Sequence, residues 1–490
     1  MADKYLISKS SFIKGIQCEK QLYLYKYHYD LMDEISEGQQ VIFDRGHDVG
    51  ELAQHLFPGG IKATEDPKKP GQAIERTTEL IKSGTEIIYE AAFVFDEVLV
   101  IADIIVLEGE QWNIYEVKSS TKISDTYYQD AAIQYYIISN CLNVKEISLV
   151  YINNQYVRNG ELELKKLFNI ESAQGKVNEL QGFIKSELKR FKKVLEEKDI
   201  PDINIGQHCN DPYPCGFMGF CWKNIPDYSV FDIAGLKGEK KFDLYGQGYI
   251  RLEDVPEDYP LSKAQRLQIE SHIGKKSYID MNNVKKFLSK IHYPIYFMDF
   301  ETFMPAIPMF NGTRPYQQIP FQYSLHFQQN PASKVEHYEF LADAEGDPRE
   351  PFLKNLLEDS KGPGLILVYD KTFEITRLKE LASDFPIYAK ETEERVERIV
   401  DLMLPFQKKY YYSPEMQGSY SIKSVLPALV PKLSYNGMNI ADGGTASAAF
   451  ESLYFEQDIF RIRDIRESLL KYCGMDTLAM VEILDVLRRL

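Results

Sequence analysis

The stretch Val98–Lys118, VLVIADIIVLEGEQWNIYEVK, constrains the fold more than any other part of the chain. Two apolar, β-branched runs flank Gly109-Glu110, and glycine as the first central residue suits a two-residue type II′ hairpin turn. With that turn, the numbers of directly paired residues add up to 219, so Asp103 faces Glu116 across the ladder. Lys118 shares the face of Glu116, because strand side chains alternate between the two faces of a sheet.

Two facing carboxylates in such an apolar run repel each other, and their burial is unfavourable unless a positive charge compensates them. A divalent cation would supply that charge, with Asp103 and Glu116 as oxygen ligands and Lys118 beside a scissile phosphate. The alternative is an exposed hairpin with a surface ion pair, which is the commoner meaning of an isolated D…E-x-K match. The motifs that follow favour a metal-dependent phosphodiesterase site.

Length and composition limit the classes of protein to consider. A chain of 490 residues is too long for one ordinary core, so we expect two or three domains. No apolar run reaches membrane-spanning length and the N-terminus lacks a signal-peptide core, so we expect a cytoplasmic protein without a membrane partner. The net charge of −16 argues against coating nucleic acid by bulk electrostatics, but allows a nuclease with local basic grooves.

Six cysteines in a long cytosolic chain do not suggest disulfides. Three of them, Cys209, Cys215 and Cys221, lie in QHCNDPYPCGFMGFCW with five residues between neighbours, whereas structural zinc modules usually contain C-x2-4-C knuckles. Three clustered thiols need a fourth, and this half of the chain offers Cys18 and Cys141. Cys141, at a helix end, is better interpreted as an ordinary core residue.

Helical patterns in the first 230 residues carry two further candidate site residues. We expect one helix over residues 8–27, a second over 41–57 that carries His47, a third over 127–140, and a fourth over 174–198. A strand is expected over residues 145–152. In the third helix, Gln134 is a candidate for orienting the substrate or a lysine, and a buried glutamine satisfied by the backbone is the alternative.

One cysteine in the first helix, an acidic hairpin with E-V-K, and three cysteines at the end of the domain form an ordered set. This set resembles the RecB-type PD-(D/E)XK nucleases with an iron–sulfur staple, such as the CRISPR-associated exonuclease of that type and the AddAB nuclease. The resemblance implies a restriction-endonuclease-like domain over residues 1–230 with Lys118 catalytic. It also implies metal ligands His47, Asp103 and Glu116, and a 4Fe–4S cluster on Cys18, Cys209, Cys215 and Cys221.

Carboxylates recur in the last part of the chain, after a helical connector expected over residues 231–290. Tyr293–Thr302 reads as a strand, and alternation places Asp299 and Glu301 on one face of it. Strands are also expected near 320–328 and 365–369, and Glu374 follows the latter in the first turn of a helix. In the final helical segment, Tyr472 and Asp476 are four residues apart and therefore share a face.

Four acids on three separated segments resemble the DnaQ-like 3′–5′ exonucleases, which have an RNase H-like fold. The Tyr-x3-Asp ending is similar to the branch that includes ribonuclease D. The resemblance implies an α/β exonuclease domain over residues 291–490 in which Tyr472 orients the attacking water. It implies two Mg²⁺ or Mn²⁺ ions, held by Asp299, Glu301, Glu374 and Asp476.

The combination of both domains resembles a bacterial family of unknown function. We therefore expect a nuclease with two sites that acts on DNA, with ends or single strands as its substrate. One alternative is an enzyme that trims RNA 3′ ends, which the similarity to ribonuclease D favours. The other is a nucleic-acid-binding protein in which one nuclease site has decayed, and the glutamate at position 374, where such enzymes usually have Asp, leaves room for it.

Overall fold

The structure is a computed structural model that describes residues 6–35, 37–64 and 69–490. It is a mixed α/β protein with two compact units, Met1–Asn224 with Ala306–Tyr316, and Ile225–Pro305 with Gln317–Leu490. These units differ from the expected division at residues 230 and 290, because the connector lies inside the second unit and a short later segment belongs to the first. None of the described helices is long and apolar enough to cross a lipid bilayer.

Within the described residues, the first unit contains a seven-stranded mixed sheet. Its strands are β1 (Ile7–Ser8), β2 (Ile61–Lys62), β3 (Ile87–Phe95), β4 (Val98–Glu108), β5 (Gln111–Lys118), β6 (Val144–Ile152) and β7 (Phe168–Ser172). They run in the order β2-β3-β4-β5-β6-β7, and β1 pairs with β4. The β3–β4–β5 meander is antiparallel, whereas β5 and β6 are parallel and are joined by a helical crossover.

The predicted hairpin register is confirmed. Ile104 pairs with Tyr115 and Glu108 pairs with Gln111, so directly paired residue numbers add up to 219. Gly109 has a φ of 65°, the left-handed conformation that the first position of a two-residue hairpin turn requires. The ladder ends at the pair Ile104–Tyr115, and Asp103 and Glu116 are the next residue of each strand beyond it.

The helices of the first unit pack on both faces of this sheet. They are α1 (Lys9–Gln17), α2 (Glu19–Tyr27), α3 (Glu37–Gln54), α4 (Pro70–Lys82), α5 (Asp125–Ser139), α6 (Leu164–Leu167), α7 (Gln174–Glu196) and α8 (Met218–Cys221). Phe12 of α1 and Phe191 of α7 meet edge to face, with ring centroids 5.4 Å apart, in a core that includes Ile133 and Ile137 of α5. Burial of these rings fixes α1 and α5 beside the hairpin.

The expected single helix over residues 8–27 is wrong, because the chain breaks at Cys18. This residue is extended, with φ −164° and ψ 122°, and it both ends α1 and begins α2. Its N–H still donates to the carbonyl of Lys14 (2.9 Å), and its carbonyl accepts from the N–H of Leu22 (3.1 Å). No Gly or Pro stands at this position, so helix-breaking residues do not explain the break.

The second unit contains, within the described residues, a five-stranded sheet in the order β11-β10-β9-β12-β13 and a two-stranded ribbon of β8 and β14. The strands are β8 (Tyr278–Ile279), β9 (Ile295–Phe303), β10 (Ile319–Gln328), β11 (Glu336–Leu341), β12 (Leu365–Val368), β13 (Ile399–Asp401) and β14 (Tyr411–Tyr412). The central strand β9 is antiparallel to β10 and parallel to β12.

Helices cover both faces of the five-stranded sheet. They are α12 (Arg349–Asp359), α13 (Lys371–Asp384), α14 (Ala389–Val396), α15 (Leu404–Gln407), α16 (Ile422–Leu429), α17 (Gly443–Ser452) and α18 (Ile459–Arg489), preceded by α9 (Gly238–Gly246), α10 (Lys263–Gly274) and α11 (Met281–Leu288). Met298 and Phe300 of β9 pack with Phe352 of α12 in one core. Because strand side chains alternate, Asp299 and Glu301 point to the opposite face, which α17 and α18 cover.

Candidate functional site

The Glu116 carboxylate is the centre of a charged group inside the first unit. Glu116 is 1% exposed, and its Oε1 accepts from the ammonium groups of Lys118 (2.7 Å) and Lys9 (2.8 Å). Its Oε2 accepts a hydrogen bond from Nε2 of Gln134. The Lys118 ammonium also contacts the Asp130 carboxylate. Two lysines and two carboxylates, supplied by α1, β5 and α5, therefore lie together at the end of β5.

Asp103 is the carboxylate that faces Glu116. Its Oδ2 accepts from the N–H of Val117 at 2.6 Å. Burial and the nearby charge of Glu116 raise the pKa of Asp103 well above its usual range. Burial would also raise the pKa of Glu116, but the ammonium groups of Lys118 and Lys9 outweigh it and lower that pKa. Without a bound metal ion, Glu116 therefore favours the ionised form and Asp103 favours the protonated form.

His47 does not join this group. Its side chain is 65% exposed on α3, and its Nε2 lies 3.4 Å from a carboxylate oxygen of Glu51, one helical turn later. Among the described residues, one group of three His, Cys, Asp or Glu side chains has its ligand atoms within 4.8 Å of one another, and that group lies in the second unit. His47, Asp103 and Glu116 therefore do not form a group of this kind. The structure thus does not bring the three side chains together, because α3 presents His47 to solvent, and the three-ligand site stays a prediction.

Gln134 contacts Glu116 and not Lys118, and it is fully buried. Its Oε1 has no hydrogen-bond partner, so the glutamine is not satisfied by the backbone. Asp130 lies one turn earlier on the same face of α5, and sequence analysis missed it although the four-residue spacing to Gln134 was visible. Lys9 was also missed, because no local pattern connects it with a hairpin about a hundred residues later.

The four cysteines of the predicted set come together. Cys18, Cys209, Cys215 and Cys221 all line one cavity, with side chains from α2 and from residues 203–222. Burial and the neighbouring thiols raise the pKa of Cys215 to about 12, and burial also raises the pKa values of Cys18 and Cys221. No disulfide joins any of them. Cys141, expected in the core, is exposed on the loop after α5.

A second acidic group lies in the second unit between β9 and α18. Carboxylate oxygens of Asp299, Glu301 and Asp476 lie within 4.8 Å of one another. Glu301 is 7% exposed and Asp476 is 6% exposed. Burial and mutual repulsion raise the pKa values of Asp299 and Glu301 well above their usual range, and burial raises the pKa of Asp476 to about 6.

Glu374, the fourth predicted ligand, lies in the first turn of α13 and is 1% exposed. It is outside the set defined by the 4.8 Å limit, but burial and the charge of Asp299 raise its pKa. Its Oε2 is buried without a hydrogen-bond partner. An unpartnered buried carboxylate oxygen is unfavourable on its own, and a cation would relieve it.

The tyrosine of the final helix is buried in this second group. Tyr472 is 4% exposed, and its ring lies 6.2 Å from the ring of Tyr435, which sequence analysis missed. The Tyr435 hydroxyl donates to Oδ1 of Asp476 at 2.5 Å. The Lys423 ammonium lies 5.1 Å from the Tyr472 ring centroid, and its charge offsets part of the increase in the pKa of Asp476 that burial causes. The site therefore combines at least three carboxylates, two tyrosines and the ammonium group of Lys423.

Comparisons with known proteins link the chain to proteins of unknown function. The chain is 24% identical over 300 residues to the uncharacterized protein UU173 of Ureaplasma parvum serovar 3, covering 55% of this chain and 42% of that protein. It is 24% identical over 233 residues to the uncharacterized protein MG366 of Mycoplasma genitalium, covering 44% and 35%. The matches therefore span less than half the length of either curated relative.

A solved structure titled "Crystal structure of SSO0001" aligns with 45% of this chain and 87% of its own, at 12% identity and a TM-score of 0.22. A family model described as a domain of unknown function, DUF2779, matches residues 296–421. The matched segment contains Asp299, Glu301 and Glu374 but ends before Tyr472 and Asp476. The expected similarity to a family of unknown function is thus confirmed over that segment.

Proposed function

We propose that this chain is a metal-dependent nuclease that hydrolyses phosphodiester bonds of DNA, with one active site in each unit. The observation that carries the proposal is the group of the partly exposed Asp299 and the buried Glu301 and Asp476, whose oxygens lie within 4.8 Å of one another. Three carboxylates at such distances repel one another, and their raised pKa values reflect that cost. Oxygen donors in this arrangement suit Mg²⁺ or Mn²⁺.

In the second unit, the proposed enzyme is a DnaQ-like exonuclease. Bound divalent ions would activate a water molecule and neutralise the leaving oxygen. Glu374 is the fourth candidate ligand, because its unpartnered Oε2 would gain a partner. Tyr472 lies one helical turn before Asp476, where its hydroxyl would orient the attacking water. Tyr435 would keep Asp476 in a fixed orientation through its hydrogen bond.

In the first unit, the proposed enzyme is a RecB-like nuclease. Asp103 and the buried Glu116 are neighbouring oxygen donors that fit part of a cation site, and His47, whose side chain is 65% exposed, stays the third candidate ligand. Lys118 would carry positive charge to the scissile phosphate, where negative charge develops during hydrolysis. Gln134 would orient the Glu116 carboxylate by donating to its Oε2.

We include in the proposal a 4Fe–4S cluster on Cys18, Cys209, Cys215 and Cys221. Tetrahedral zinc would hold its sulfur ligands about 3.8 Å apart, given Zn–S bonds of about 2.3 Å. Among the described residues, no three of these sulfurs lie within 4.8 Å of one another, so the cage is wider than one zinc ion needs. A cluster would also favour the thiolate forms that burial disfavours.

The two active sites can be separated by mutation. We expect Glu116→Gln and Glu301→Gln each to remove one of two Mn²⁺-dependent activities on labelled oligonucleotides, and the double variant to be inactive. The isosteric amide keeps the shape of each side chain but cannot supply the ligand charge. Glu110→Gln in the exposed hairpin turn and Asp464→Asn on the exposed face of α18 are matched controls. Full digestion by the double variant would contradict the proposal.

The same assay decides between DNA and RNA. Matched single strands of both chemistries are digested side by side, with each variant and with excess chelator. Preference for DNA supports the leading proposal, whereas cleavage of RNA alone would favour 3′-end trimming of RNA, as the resemblance of residues 291–490 to ribonuclease D suggests. Absence of Mn²⁺ binding at the second site, measured by calorimetry, would favour a decayed site.

Loss of the cluster is expected to destabilise the first unit. An anaerobic preparation should be brown from sulfur-to-iron charge transfer, and Cys215→Ser should lose the colour. Cys18 and Cys209 are 191 positions apart, so their cross-link stabilises by at most about 5 kcal/mol through loop closure. Calorimetry should show a lower melting temperature for Cys215→Ser, whereas the exposed Cys141→Ser serves as control. Stoichiometric zinc without iron would overturn the assignment.

A further inference from the structure

The Lys9 ammonium lies inside the first site, and the elements on both sides of Lys9 hold its backbone in place. Ser8 pairs with Leu99 where β1 meets β4, and Ser8 also caps α1 by accepting from the N–H of Ser11. Phe12, one turn after Lys9, is completely buried against Phe191. The backbone around Lys9 is therefore held on both sides. The fold thus fixes the backbone position from which the Lys9 side chain reaches Glu116.

Lys9 supplies the second positive charge of the group, in which Lys118 alone would face two carboxylates. The Lys9 Nζ lies 2.8 Å from Oε1 of Glu116 and 3.7 Å from Oδ2 of Asp130. Lys118 contacts the same two carboxylates. Two ammonium groups thus face two carboxylates in a largely buried group, and the four charges balance. Breaking such a buried group by removing one partner leaves an uncompensated charge at high cost.

We propose that Lys9 is a positioning residue of the first active site, which leaves Lys118 free to turn from Glu116 and Asp130 toward the substrate phosphate. The inference rests on the proposed function of this site. Among the described residues, Lys118 would be the only ammonium group left in contact with Glu116 and Asp130 if Lys9 were removed. Moving Lys118 away would then leave the two carboxylates to repel each other. With Lys9 present, one positive charge stays on Glu116 and Asp130 while Lys118 faces the phosphate.

The same arrangement predicts the sign of an effect on metal binding. Lys9 is a positive charge beside Glu116, so it opposes the approach of a divalent cation to that carboxylate. Removing the ammonium should therefore strengthen binding of Mn²⁺ while it slows turnover. A purely structural lysine would not give this combination, because loss of local structure would weaken both.

The test uses the 490-residue chain with the second site inactivated by Asp299→Asn and Asp476→Asn, so that the first site is measured alone. Lys9→Met is expected to lower kcat on a labelled DNA strand by roughly 10- to 100-fold, as for other residues that orient metal ligands. KM should change little. Lys9→Arg should restore most of kcat, because it keeps the positive charge. Mn²⁺ titration by calorimetry should show severalfold tighter binding to Lys9→Met.

Lys145→Met is the matched control, because Lys145 forms an exposed ion pair with Glu108 on the same sheet. Thermal melting of each variant shows whether the fold is kept. The inference is overturned if Lys9→Met keeps the parent kcat, if Lys9→Arg is as slow as Lys9→Met, or if Mn²⁺ binds more weakly. If Lys118→Met and Glu116→Gln also keep full activity in this background, the proposed site itself fails, which separates that failure from the failure of the Lys9 inference.

Discussion

Substituting Asp299 by Asn is expected to lower the Mn²⁺-dependent activity of the second site by roughly 1,000-fold, because metal-ion stabilisation of the transition state amounts to several kcal/mol. The same substitution should raise the thermal stability of the metal-free protein. Asp299 lies next to the buried Glu301 and Asp476, where removing one charge relieves repulsion. Opposite changes in activity and stability are typical of residues retained for function.

Activity is measured on a labelled single strand with Mn²⁺ in excess, in a Glu116→Gln background that silences the first site. Stability is measured by calorimetry in chelator, where each kcal/mol corresponds to a shift of about 2–4 °C for a unit of this size. Asp464→Asn, an exposed residue of the same helix α18 that carries Asp476, should change neither. A variant that keeps full activity, or a marked loss of stability in chelator, would contradict the assignment of Asp299 as a metal ligand.

The stability of the metal-free protein should fall as pH rises through the range in which Asp476 loses its proton. Burial raises the folded-state pKa of Asp476 to about 6, from an ordinary value of 3.8. Between these values the folded state holds a proton that the unfolded state has released, so stability decreases as pH increases. The full effect is about 3 kcal/mol, present below pH 4 and lost above pH 6.

Wild type and Asp476→Asn should be compared in chelator at several values between pH 4 and pH 8. We expect the melting temperature of the variant to exceed that of the wild type by a margin that grows with pH up to about 7. Mn²⁺ should reverse the trend for the wild type alone, because a bound cation replaces the proton and favours the ionised carboxylates. A difference between the two proteins that is independent of pH would be evidence against a raised pKa at Asp476.

Local rules identified most of the elements that carry the candidate sites. The glycine turn predicted the register of β4 and β5, in which Ile104 pairs with Tyr115, the residues next to Asp103 and Glu116. Strand alternation correctly placed Asp299 and Glu301 on one face of β9. These predictions succeed because turn type and backbone geometry decide, over a few residues, which way each side chain points.

Predictions that needed distances between elements were less successful. His47 has the helical position expected of a ligand, but α3 presents it to solvent. The single helix over residues 8–27 is interrupted at Cys18, although no helix-breaking residue stands there. Neither result could be inferred from local sequence patterns, which record neither the exposure of a helix face nor a break without Gly or Pro.

Sequence alone determined that acidic side chains occur in pairs on apolar strands, that Tyr472 and Asp476 share one helical face, and that three cysteines form a spaced set. The tertiary structure decided which side chains accompany them: Lys9 and Asp130 beside Glu116, and Tyr435 beside Asp476. The physical reason is that periodicity defines the direction of a side chain relative to its own element. The distance to a charge on another element depends on long-range packing, which no local pattern records.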